Sequence, residues 1–114
     1  INMDERLINI VKHYDNDAQI RQLIEEMAEL TQALNKLWRA EQGYISEYYD
    51  GYKKGAAIKF CRESVIEETA DVMICLEELK YILDISDKEI KRCMDIKLNR
   101  QLERMEREKN EERD

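Results

Sequence analysis

The chain has 114 residues, no proline, three glycines and a formal charge of −7. That length supports one domain around one core, and the abundance of Ala, Leu, Ile, Glu, Lys and Arg favours long helices over a sheet-rich fold. No basic face dominates, which argues against a nucleic-acid partner; no apolar run approaches the ~20 residues that span a bilayer, and no signal peptide is visible, so a cytoplasmic protein is expected.

Taken in order, residues 4–14 carry Leu7, Ile8, Ile10, Val11 and Tyr14, the pattern of a short amphipathic helix. Asp15-Asn16-Asp17 breaks it, and Asn16 with Gln19 resembles a capping box. A second helix is expected over 17–41, with apolar positions Ile20, Leu23, Ile24, Met27, Leu30, Leu34, Leu37 and Trp38. Residues 42–63 hold all three glycines and Tyr44, Tyr48, Tyr49 and Tyr52. They read as an insertion or flap with a short helix or turn near 45–54, because structureless loops of this length are uncommon. Ser64-Val65-Ile66-Glu67 fits a capping box for a third helix ending near 83, with Val65, Val72, Met73, Leu76, Leu79 and Leu83 as its stripe. Ser86-Asp87-Lys88-Glu89 is a further capping box and opens a fourth helix, striped by Ile90, Cys93, Met94, Leu98, Leu102 and Met105. From about 106 to 114 the chain is almost wholly charged and reads as a solvated, fraying helix end. Cys61, Cys75 and Cys93 form no zinc pattern. Cys75 and Cys93 fall in apolar stripes and read as small core residues in a reducing compartment. The expected fold is all-α: one domain over 1–114, a bundle of four to five helices with an active site between facing helices.

Two acidic motifs stand out on these helices, Glu25-Glu26-Met27-Ala28-Glu29 and Glu67-Glu68-Thr69-Ala70-Asp71. Glu26 with Glu29, and Glu68 with Asp71, are carboxylates three apart, roughly 60° around a helix axis. Counting about 100° per residue, Glu26 lies at the edge of its apolar stripe, Glu68 inside its own, and Asp71 at the edge. Two such helices face to face would gather four carboxylates, which is unfavourable without a cation among them. Hard oxygen ligands suit Mg²⁺, which also keeps substrate phosphates. The plainer reading is a set of solvated surface acids, since Glu is a good helix former. That reading fits Glu25, Glu67, Glu77 and Glu78 well and Glu68 poorly. A di-iron carboxylate bundle needs Glu-x-x-His pairs, and the single histidine is His13 on the first segment. Lys97 falls within the last helical stripe, with Arg100 and Arg104 along one edge; its amine either snorkels outward or enters a polar site. The tyrosines either fill the bundle end or stack on a nucleobase.

These motifs resemble those of the MazG-like nucleotide pyrophosphohydrolases, in the all-α NTP pyrophosphatase superfamily. The resemblance rests on Glu26-x-x-Glu29 and Glu68-x-x-Asp71 in their settings Ile-Glu-Glu-Met-Ala-Glu-Leu and Glu-Glu-Thr-Ala-Asp-Val-Met. The run Lys97-Leu98-Asn99-Arg100, continuing to Arg104, is similar to the basic stretch on that family's last helix. It covers roughly residues 18–104, and the separation of Glu29 from Glu68 is longer than usual there. It implies hydrolysis of a (d)NTP to the (d)NMP and pyrophosphate. Glu26, Glu29, Glu68 and Asp71 would ligate Mg²⁺, or Mn²⁺ in its place, and Glu26 or Glu29 would activate water. Lys97 and Arg100, with Asn99 and Arg104, would hold the phosphates. It also implies a homodimer or homotetramer, and Ile74 and Ile82 widen the third stripe in keeping with a second packing surface. The competing reading is a non-catalytic helical bundle or adaptor; a nucleotide-binding regulator without turnover is a third.

Overall fold

The computed structural model describes residues 4–43 and 54–113. They form four α-helices and no strand: α1 (Glu5–His13), α2 (Asn16–Glu41), α3 (Lys54–Ile82) and α4 (Asp87–Arg113). The protein is all-α, as the composition implies. The Tyr-rich stretch, with the turn expected near 45–54, lies almost wholly outside the described residues. The chain divides into two compact units, Ile1–Ile82 and Leu83–Asp114.

In the first unit α1 starts where the Asp4 side chain accepts from the Arg6 backbone amide. Its one buried residue is Val11. The start of α2 corrects the expected Asn16–Gln19 box: the cap is Asp15, whose carboxylate accepts from the Ala18 amide at 3.1 Å. Gln19 is instead buried at the elbow between α1 and α2, where its amide donates to the carbonyls of Val11 at 3.1 Å and Tyr14 at 2.9 Å. These carbonyls at the end of α1 have no further helical turn to donate to them, so a side-chain donor takes its place. At the other end of α2, Gly43 adopts φ +84° and its amide reaches the Ala40 carbonyl at 3.1 Å. A left-handed residue after a helix is the conformation glycine adopts without a Cβ penalty.

The largest correction concerns α3. It begins at Lys54, not Ser64, and runs unbroken for 29 residues. Ser64 lies inside the helix, and its hydroxyl donates back to the Phe60 carbonyl rather than capping. The described part of the expected flap therefore belongs to the core. Ala57 (1% exposed) and Cys61 (2%) pack against Ala40, with Leu37 and Ile58 alongside. Small residues at these positions let the helices approach closely, and burial offsets the helical cost of Gly55. The end of α2 thus meets the start of α3, so the two run antiparallel. α1 packs on α3.

The seam covers only part of each apolar stripe. Leu23, Ala33, Val72 and Cys75 are buried, whereas Ile24, Met27, Leu34, Trp38, Ile66, Met73 and Leu76 are exposed. Cys75 is a core residue as expected; Cys61 is one too.

The second unit is α4 and the residues leading into it. Its predicted capping box is present: Glu89 accepts from the Ser86 amide at 2.8 Å and the Ser86 hydroxyl at 2.9 Å, and that hydroxyl accepts from the Glu89 amide at 3.1 Å. These bonds hold the Glu89 carboxyl below its usual range. Taken by itself α4 buries no residue, and Cys93, expected in a core, is exposed on it. The charged end remains helical to Arg113. No helix among the described residues is long and apolar enough to cross a membrane.

Candidate metal centre

The antiparallel register of α2 and α3 brings the two acidic motifs to the same level of the seam. Glu26 from α2, and Glu68 and Asp71 from α3, each place a carboxylate oxygen within 4.8 Å of the other two. Three of the four acids singled out in the sequence therefore converge. The fourth, Glu29, is exposed and outside this set, one turn beyond Glu26. Its negative charge still pushes the Glu26 carboxyl up. Glu25, Glu67 and Glu77 are exposed, in line with a solvated role.

Burial is uneven within the cluster. Glu26 and Glu68 are half-buried, and Asp71 is exposed. Gln22 donates to Oε1 of Glu26 at 2.6 Å. The other oxygen, Oε2 of Glu26, is buried without a hydrogen-bond partner, and so is Oε2 of Glu68. A buried acceptor without a donor is costly, and more so when it carries charge. The hydrogen bond from Gln22 is the largest single influence on Glu26 and pulls its carboxyl down. Desolvation and the neighbouring carboxylates of Glu29 and Asp71 outweigh it together, so Glu26 titrates above its ordinary range. Hard oxygens at this spacing, two of them lacking donors, fit a divalent cation of the Mg²⁺ class.

Two further side chains lie on the same face of α3, Cys75, read from the sequence as core, and Glu78, which the sequence reading missed. Cys75 is buried, and its thiol is pushed up to about 11 by desolvation first, then by Glu78, Glu26 and Asp71. Glu78, assigned above to solvent, is only 8% exposed. Burial pushes its carboxyl up. Position was the available signal: Glu68, Asp71, Cys75 and Glu78 are spaced three, four and three apart, a single helical face.

Lys97, Asn99, Arg100 and Arg104 all lie on α4, in the second unit, and all are exposed there. Heptad spacing sets Lys97 and Arg104 on one side of that helix with Arg100 between them, and Asn99 falls on another side.

No protein-family model, curated protein or solved structure matches this chain.

Proposed function

We propose that the chain is a Mg²⁺-dependent nucleoside triphosphate pyrophosphohydrolase of the MazG-like kind, converting a (d)NTP and water to the (d)NMP and pyrophosphate. The observation that carries this reading is the meeting of Glu26, Glu68 and Asp71 across the α2–α3 seam with two buried carboxylate oxygens lacking donors. Solvated surface acids would not leave such oxygens. On this reading Glu26, Glu68 and Asp71 hold the cation, with Glu29 beside them. Bound Mg²⁺ (or Mn²⁺) neutralises the phosphate charge that otherwise shields the α-phosphorus.

The remaining roles fall to side chains. Glu29 is exposed and outside the three-oxygen set, so it is the carboxylate best placed to take a proton from the attacking water. Gln22 fixes the Glu26 carboxylate through Oε1 and leaves Oε2 for the cation. The basic residues Lys97 and Arg100, with Arg104 and Asn99, are assigned the phosphate tail, whose charge an acidic chain would otherwise repel. A reducing, cytoplasmic compartment, where nucleotide pools lie, belongs to the same reading.

The same reading includes a homodimer or homotetramer. Trp38 is 58% exposed and Met73 62%, with Ile24, Leu34 and Ile66 exposed on the same two helices. Apolar exposure on this scale is typical of a surface covered in an assembly. Light scattering on the purified chain, with Trp38→Lys as the disrupting variant, reports it.

The deciding experiment incubates the protein with canonical and modified (d)NTPs, with Mg²⁺ or EDTA, and separates the products. Monophosphate and pyrophosphate formed only with metal are expected. Diphosphate and orthophosphate would mean a different cleavage. Nucleotide binding without turnover would indicate a regulator, and neither binding nor a metal-induced thermal shift would favour the non-catalytic bundle.

A further inference from the structure

The two oxygens of Glu26 are not equivalent. Gln22, exposed one turn earlier on α2, donates its side-chain amide to Oε1 at 2.6 Å, while Oε2 is buried without a partner. Residues four apart are neighbours on one side of a helix, so this bond is built into α2 alone. A hydrogen bond to a charged carboxylate is roughly twice as strong as a neutral one. It fixes which way the carboxylate turns. A cation entering between Glu26, Glu68 and Asp71 meets Oε2, and taking Oε1 as well means breaking the bond from Gln22. That restriction weighs differently on different ions. Mg²⁺ is small, demands a near-ideal octahedron and keeps several of its waters. The two oxygens of one carboxylate are too close together to span adjacent corners of that octahedron, so Mg²⁺ loses nothing when one is withheld. Ca²⁺ is larger, gathers more oxygens in a looser shell and takes carboxylates by both oxygens.

We propose that Gln22 is a positioning residue that sets the ion selectivity of this centre: by holding Oε1 of Glu26 it permits one-oxygen binding, which suits Mg²⁺ and Mn²⁺, and withholds the two-oxygen grip that Ca²⁺ uses. The inference rests on Glu26, Glu68 and Asp71 being a cation site, and it deepens that reading by naming the residue that discriminates between ions. Three carboxylates free to turn would favour neither kind of grip. Gln22 also spares a small ion the cost of orienting the Glu26 side chain, because the hydrogen bond has already ordered it.

The test follows the melting temperature of the full chain against rising Mg²⁺ and, separately, rising Ca²⁺, and takes apparent affinities from the shifts. Wild type is compared with Gln22→Met, whose side chain has similar length and no donor. Gln22 is exposed, so the change leaves the buried seam alone, and circular dichroism should not move. The ratio of Mg²⁺ to Ca²⁺ affinity should fall about tenfold in the variant, the low end of what partners of metal ligands are worth. Gln22→Ala should lower it as far. An unchanged or higher ratio, whether both affinities hold or fall together, overturns the role of Gln22. The cation site then stands as long as Mg²⁺ still raises the wild-type melting temperature. No shift with either ion in wild type sinks the cation site and this inference with it.

Discussion

Glu68→Gln isolates the charge of the one acid that lies within an apolar stripe. Its carboxylate meets those of Glu26 and Asp71 within 4.8 Å, where two unit charges repel by about 1 kcal/mol in water and about 3.5 kcal/mol at an effective dielectric near 20. Asp71 is exposed and Glu26 and Glu68 are only half-buried, so solvent screening keeps both pairs towards the lower figure. Removing one charge from the metal-free cluster should thus stabilise the protein by about 1–2 kcal/mol, seen as several degrees in Tm in EDTA. The amide keeps the shape, so the circular dichroism spectrum should not change. With Mg²⁺ the order reverses: wild type gains stability and the variant gains little. Turnover should fall at least about a hundredfold, since changes around the ligands alone cost 10–100-fold. A variant less stable than wild type in EDTA would refute the repulsion. Retained turnover with an undiminished Mg²⁺ shift would remove Glu68 from the metal site.

Three further outcomes are expected. The raised carboxyls of Glu78 and Glu26 hold their protons more tightly when folded, so their contribution is complete below the ordinary value of 4.5 and is lost as pH rises through the raised one; the metal-free Tm should drop from mildly acidic pH towards 7, less steeply in Glu78→Gln. Asp4 acts in the opposite sense, held at about 2 by its hydrogen bonds with Arg6, so its contribution is present above 3.8 and lost as pH falls through about 2. Leu23→Ala, at a buried position, should cost about 2–5 kcal/mol in urea unfolding, and Leu34→Ala, at an exposed one, under about 1 kcal/mol at concentrations that keep the chain monomeric; equal costs would contradict the core described here. Ser86→Ala should cost about 1 kcal/mol by loss of the α4 cap, while Ser64→Ala should be neutral or slightly stabilising, since alanine is the better residue inside a helix.

Local chemistry alone accounts for much of the fold. The extents of α1 and α2 follow from apolar periodicity, the start of α4 from a Ser–Glu box that needs only its own four residues, and the candidacy of Glu26, Glu68 and Asp71 from carboxylates placed within or at the edges of two apolar stripes. Contacts between helices settled the rest. Ser64 has the signature of a cap, but packing of Ala57 and Cys61 on Ala40 carries α3 ten residues further back, and small side chains leave almost no periodic signal to announce it. Asp15 capped α2 because Gln19 was drawn to the open carbonyls at the end of α1. Glu78 lies on the polar side of any hydropathy scale, and only the surroundings of α3 enclose it. Helical period states which residues share a face; how far that face is covered depends on distant segments, and so the burial of Glu78, the exposure of Trp38 and the separation of Glu29 from the other three carboxylates were decided by the way α1, α2 and α3 come together.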